Sequence, residues 1–268
     1  MGDAATPLLT APEKAELYRN ALEMLNRSGV PYLVGGSYAF QYFAGISRST
    51  KDFDIFVRPR DVQRVLDVLT RAGFRTEMAF THWLAKAYHA DRFIDVIFNS
   101  GNGVAEVDDE WFAHAVSEEV LGVPVKLSPA EEMIWSKSMI MERERYDGAD
   151  VSHLLRHCSG LLNWDRLVRR FGSHWRILLS HLVLFGFIYP GERALIPSAV
   201  IRELVNRLLA ELDVPTRDSK VCQGTLLSRA QYLVDVDEWG YEDARLRPRG
   251  AMSEDQIAEW TAAIDKSD

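Results

Sequence analysis

The reading turns on two stretches: Val30-Pro31-Tyr32-Leu33-Val34-Gly35-Gly36-Ser37, and Asp52-Phe53-Asp54-Ile55-Phe56-Val57 a short distance on. The first is a short apolar run that ends in two glycines and a serine. It reads as a buried strand running into a tight turn, with a helix from Tyr38 to Phe43 behind it. Glycine lets a backbone approach a ligand closely, and a helix N-terminus offers unpaired N–H groups suited to phosphate. Gly35, Gly36 and Ser37 are therefore candidate phosphate-binding residues, and a plain strand-to-helix turn is the alternative. The second stretch alternates in the strand period, so Asp52 and Asp54 project from one face while Phe53, Ile55 and Val57 face a core. Two neighbouring carboxylates repel unless something offsets their charge. A divalent cation is one such offset, and exposure to water at a sheet edge is the other.

Arg92-Phe93-Ile94-Asp95-Val96-Ile97-Phe98 is an apolar run with one acid inside it, Asp95. A buried carboxylate is costly unless paired or bound to metal. An Asp at the sheet margin facing solvent is the plain alternative. Further strands are expected near Arg75–Phe80 and His82–Tyr88, with a helix from Arg58-Pro59-Arg60-Asp61 through Leu69. An amphipathic helix is expected ahead of Gly29, opened by the capping-box spacing Thr10-Ala11-Pro12-Glu13 and carrying Leu17, Leu22 and Leu25. Strands alternating with helices indicate an α/β or α+β unit.

After Leu127 the pattern becomes helical. Ser128-Pro129-Ala130-Glu131 has capping-box spacing, and helices are expected over Pro129–Arg145, Gly148–His157, Trp164–Phe171, Trp175–Phe187 and Pro197–Glu211. A last capping box stands at Ser253-Glu254-Asp255-Gln256. The expected division is residues 1–127 as a catalytic domain and 128–268 as a mainly helical C-terminal domain.

Composition sets limits. The 268 residues are 47% hydrophobic and 26% charged, with a formal net charge of −8. That suits a soluble globular chain with a sizeable core and argues against a broad basic nucleic-acid face. Two cysteines, Cys158 and Cys222, make no disulfide framework. Met1-Gly2-Asp3 has no basic stretch before an apolar one, so no secretory signal is expected. The apolar run Ile177–Tyr189 is shorter than the roughly 20 residues a membrane span needs. A cytoplasmic location and no membrane partner are therefore expected.

Taken together, Val34-Gly35-Gly36-Ser37, Asp52-Phe53-Asp54-Ile55 and Asp95 resemble the nucleotidyltransferase superfamily that includes DNA polymerase β. Arg48-Ser49-Thr50-Lys51-Asp52 matches an Arg-x-[Ser/Thr]-x-Asp run found in bacterial AbiEii-type and antibiotic-modifying members. The resemblance covers about residues 30–100 and extends more weakly to about 156. It implies an α+β fold, a polymerase β-like mixed sheet with flanking helices followed by a mainly helical domain. It further implies a metal-dependent enzyme that moves a nucleoside monophosphate from an NTP, such as ATP, to a hydroxyl acceptor with release of pyrophosphate. Asp52, Asp54 and Asp95 are then the ligands of Mg²⁺ or Mn²⁺, with Asp95 also placed to accept the acceptor's proton. Gly35, Gly36 and Ser37, with Arg48 and Lys51, hold the triphosphate. Lys137 reaches it from the helical domain, and Asp150 orients Lys137 or the acceptor. For Arg48, Lys51 and Lys137 a solvated surface position is the alternative. The acceptor is a small molecule, or a tRNA or protein in toxin-like members, which would bring an antitoxin partner. The other function class is a non-catalytic nucleotide-binding or partner-binding module that kept the fold.

Three further patterns lead elsewhere. Gly101-Asn102-Gly103 lacks the third glycine of a dinucleotide fingerprint, since Glu106 stands there. His153 and His157 have helical spacing for zinc but lack a following Glu. Arg166, Arg169, Arg170 and Arg176 form a basic cluster, read either as an RNA contact or as a solvated helix face.

Overall fold

A computed structural model describes residues 12–48, 52–215 and 219–263. The chain divides into two compact units, Met1–Pro129 and Ala130–Asp268.

The first unit contains α1 (Pro12–Ser28), β1 (Leu33–Val34), α2 (Gly36–Ala44), β2 (Asp52–Phe56), α3 (Val62–Arg71), β3 (Arg75–Phe80), β4 (Leu84–His89), β5 (Arg92–Ile97), α4 (Asp109–Ala113), β6 (Val116–Val120) and β7 (Val123–Leu127). The strands form one seven-stranded sheet in the order β3-β4-β5-β2-β1-β7-β6. It is mixed: β2 runs parallel to β5 and β1 parallel to β7, while β1–β2, β3–β4, β4–β5 and β6–β7 are antiparallel. The unit is thus α+β.

Strand alternation divides the sheet into two chemically different faces. Phe53, Ile55, Ile94 and Val96 are fully buried, as are Leu22 and Leu25 of α1 and Val65 and Leu69 of α3. Register puts Phe53 beside Ile94 and Ile55 beside Val96, so this apolar face is continuous across β2 and β5. Each such side chain contributes about 1.5–3 kcal/mol through burial. The same register puts Asp54 beside Asp95 on the opposite face. Further along that face Phe56 packs on Trp111 of α4, with ring centroids 5.0 Å apart. Fixing the apolar residues inward therefore leaves the acids no choice of side.

The elements follow the pattern with some differences. Gly29, at φ 68°, ends α1 where expected. The apolar run before Gly35 pairs as a strand only at Leu33–Val34, because Pro31 has no N–H to give a ladder. α2 begins two residues earlier than expected, at Gly36. The 58–69 helix starts as a 3₁₀ turn at Pro59–Asp61. α4 and β6 have no announcement in the apolar pattern; β6 carries Glu118 and Glu119 at a sheet edge. The first half of the Thr10–Glu13 capping box, Thr10 and Ala11, lies outside the described residues.

The second unit holds α5 (Ala130–Ser138), α6 (Gly148–Cys158), α7 (Trp164–Phe171), α8 (Trp175–Ile188), α9 (Ser198–Leu212), β8 (Val221–Cys222), α10 (Leu233–Asp237), β9 (Glu242–Asp243) and α11 (Glu254–Ala262). α5 stops at Ser138, well short of Arg145. The chain turns there, with Met141 bridging to Tyr146 and the Asp147 N–H donating to the Ile140 carbonyl. The capping box expected at Ser128 does not form, since its buried Oγ makes no hydrogen bond. The one at Ser253 does form, with both reciprocal bonds to Gln256.

The run Trp164–Ile188 has the length and hydropathy of a membrane span. It is two helices joined by a 3₁₀ turn at Gly172–His174, and Leu167, Phe171, Leu178, Leu182 and Phe185 are buried within the unit. The basic cluster is neither a solvated face nor an RNA contact at its centre. Arg166 is buried and pairs with Glu131, at 3.0 Å, and with Glu132; Arg170 reaches Glu132 at 2.9 Å. Arg176 pairs with Glu211 of α9.

Candidate active site

The site starts from backbone geometry at Gly35 and Gly36. The Gly35 N–H donates to the Asp54 carbonyl at 3.0 Å, which ties the turn after β1 to β2. A Cβ on Gly35 would stand 2.1 Å from the Phe56 ring, and one on Gly36 would stand 1.7 Å from Asp54 Oδ2. Gly36 also has φ 52°, a left-handed conformation that disfavours side chains. Both glycines are thus required by close approach to β2. Gly35 stands at the N-cap of α2 and has no side chain to cap it, so the first turn of this helix begins beside Asp54. Ser37 lies in that first turn.

Asp52, Asp54 and Asp95 each present a carboxylate oxygen within 4.8 Å of the others. Among the described residues no other group of three or more His, Cys, Asp or Glu side chains meets in this way. Asp54 and Asp95 are direct lateral partners on parallel strands, an arrangement that is repulsive without a cation nearby. Burial pushes the Asp95 carboxyl above its ordinary value and the charge of Asp52 adds to this, while Lys86 pulls the other way. The Lys86 ammonium donates to Asp95 Oδ1 at 2.7 Å.

Two tyrosines pack on Phe53, the residue between Asp52 and Asp54. Tyr18 and Tyr38 each pack on the Phe53 ring at 4.9 Å. The Tyr18 hydroxyl donates to the Phe93 carbonyl at 3.2 Å. Its pKa is pushed up to about 12, chiefly by burial, with Tyr38, Asp52 and Asp54 adding to the effect. Tyr18 therefore stays a neutral donor.

The remaining predicted site residues are placed as follows. Arg48 is exposed and lies over the Phe40 ring at 4.7 Å. Lys51 is outside the described residues. In the second unit, Lys137 Nζ donates to Asp147 Oδ2 at 2.9 Å and to Asp150 Oδ2 at 2.8 Å. Asp150 holds Lys137, and so does Asp147, which no motif singles out. His157 Nδ1 lies 3.2 Å from the His153 carbonyl, an intrahelical contact and not a metal site.

Lys86 is the residue sequence reasoning missed. Its signal lies in the β4–β5 hairpin. The two-residue turn Ala90-Asp91 pairs His89 with Arg92, and counting back along both strands brings Lys86 opposite Asp95.

No curated protein matches the chain. Among solved structures, the antibiotic-resistance factor ANT(2'')-Ia shares 16% identity, with 64% of this chain and 98% of that one covered at a TM-score of 0.44. An antigenic nucleotidyltransferase-like protein from Paracoccidioides brasiliensis shares 14%, with 72% and 98% covered and a TM-score of 0.43. The lincosamide antibiotic adenylyltransferase LnuA, lincomycin-bound, shares 16%, with 54% and 96% covered and a TM-score of 0.39. What those proteins act on belongs to them. The family described as uncharacterised nucleotidyltransferase matches residues 13–180, a span that holds both glycines, the three aspartates and Lys137. The chain belongs to this nucleotidyltransferase family and is an enzyme of that class.

Proposed function

We propose that the chain moves a nucleoside monophosphate from an NTP to a hydroxyl acceptor, with release of pyrophosphate, in a reaction that depends on Mg²⁺ or Mn²⁺. The meeting of Asp52, Asp54 and Asp95 within 4.8 Å carries this reading. The residues fit such a cation. The donors are all hard oxygens, and close carboxylates on a half-buried sheet face need positive charge to coexist. When bound, the divalent ion neutralises phosphate oxygens and the departing pyrophosphate.

The chain's own residues supply the rest. The N–H groups at the start of α2 and the Ser37 hydroxyl are donors of the kind that suits phosphate oxygens. Asp52 and Asp54 position the cation-bound triphosphate. Asp95 accepts the proton of the acceptor hydroxyl as that oxygen bonds to the α-phosphorus and the bond to the β-phosphate bridging oxygen breaks. A carboxyl whose pKa burial has raised is a better base for this step than an ordinary one. Within the second unit, Lys137 is a cation pre-oriented by Asp147 and Asp150.

A small-molecule acceptor is favoured over RNA. The net charge is −8, and Arg166 and Arg170, the core of the basic cluster, are occupied by Glu131 and Glu132. Incubation with each α-labelled NTP, Mg²⁺ and a cell extract tests the proposal. Label should transfer to a small molecule and should be lost in Asp52→Ala. Label in RNA or protein would overturn the acceptor class. Absence of transfer and of pyrophosphate release with every NTP would favour a binding module.

A further inference from the structure

β3, β4, β5 and β2 present one lateral row of side chains on the site face: Glu77, Lys86, Asp95 and Asp54, each paired in register with the next. The charges alternate until Asp54, where two acids meet. Glu77 does not draw Lys86 away, because it is engaged by Arg75 at 2.7 Å and by the Tyr88 hydroxyl at 3.0 Å. Lys86 instead turns to Asp95 Oδ1 at 2.7 Å, with its Nζ 4.3 Å from the Phe93 ring centroid. The side chains of Lys86 and Asp95 are 22% and 13% exposed, so water screens this pair far less than a surface one. Phe93 and Asp95 stand two apart on β5 and clamp the ammonium between a ring and a carboxylate.

We propose that Lys86 is a positioning residue for the third carboxylate: it holds one oxygen of Asp95, leaves only the other for a cation or the acceptor's proton, and lowers the net charge of the carboxylate triad from −3 to −2. This rests on the proposed cation site. Its consequence is asymmetry among the acids. Asp52 and Asp54 carry most of the cation affinity, and Asp95, already compensated, is kept for orientation and proton transfer. Lys86 thus weakens cation binding while fixing the group that needs a defined direction.

Titration of the nucleotide-free protein with Mn²⁺, followed by calorimetry and by the electron paramagnetic resonance of free Mn²⁺, separates this inference from the reading beneath it. Wild-type protein should bind Mn²⁺, and Asp54→Asn should abolish binding. No binding to wild type would remove the cation site and this inference with it. Given a working site, Lys86→Met should bind Mn²⁺ about tenfold more tightly, equivalent to roughly 1.4 kcal/mol of lost repulsion. Lys86→Arg should restore affinity close to wild type. Asp95→Asn, which leaves Lys86 in place, should weaken binding clearly less than Asp54→Asn does, so the inference stays testable if Lys86→Met folds poorly. Unchanged or weaker Mn²⁺ affinity in a folded Lys86→Met protein would overturn it. So would equal losses from Asp95→Asn and Asp54→Asn.

Discussion

Gly36 and Asp54 stand so close that a methyl group on the glycine would lie 1.7 Å from the carboxylate Oδ2. The turn after β1 and the acid on β2 are therefore a single unit: the missing side chain at one position makes room for the functional group at the other. Gly36→Ala adds a Cβ at φ 52° and forces either the turn or Asp54 to move. The strain alone should cost about 1–3 kcal/mol. Nucleotidyl transfer should fall roughly a hundredfold from the misplaced carboxylate. A thermal melt and a single-turnover assay with labelled NTP check the two effects.

The buried network in the second unit gives a stability prediction. Glu132 is fully buried and Glu131 nearly so, and both depend on Arg166. Arg166→Met should destabilise the protein by roughly 3–5 kcal/mol, because the buried Glu131 loses its arginine and Glu132 is left with Arg170 alone. Arg169→Met, three residues on and exposed, should change stability by less than about 0.5 kcal/mol. Urea unfolding of both variants decides the matter.

Acid should loosen the Lys137 cluster. Burial alone would raise the Asp147 carboxyl, but the hydrogen bond from Arg145 and the charges of Lys137 and Arg145 outweigh it and hold the group below its ordinary value. A depressed folded pKa means that the unfolded chain takes up the proton first. The stabilisation is complete above the unfolded value of about 3.9 and is lost as pH falls through the lower, folded one. Between pH 5 and pH 3, by the same linkage, wild-type protein should lose more stability than Asp147→Asn, measured as urea midpoints.

Much of the site was legible because strand period and burial act together. Once Phe53 and Ile55 are assigned to a core, Asp52 and Asp54 must face away from it, and the same holds for Asp95 between Ile94 and Val96. Gly35 and Gly36 were legible as a close-approach turn, though not that Phe56 and Asp54 are what they approach. Lys86 was hidden because its partner is set by hairpin register, which a strand pattern alone does not carry. One helix end in the second unit, that of α5, was missed for a local reason. α5 looked longer because Met139, Ile140 and Met141 continue its apolar character, while the chain there bends to bring Asp147 onto Lys137. The arginines at 166 and 170 looked solvated because the spacing of one helix does not reveal acids on another.

Crystals soaked in Mn²⁺ and recorded at a wavelength with manganese anomalous signal show whether the three carboxylates hold a divalent cation. An anomalous peak is expected within coordination distance of Asp52, Asp54 and Asp95, at the start of α2, and is expected to disappear in Asp54→Asn. Full Mn²⁺ occupancy elsewhere with none between these three carboxylates would contradict the proposed cation site.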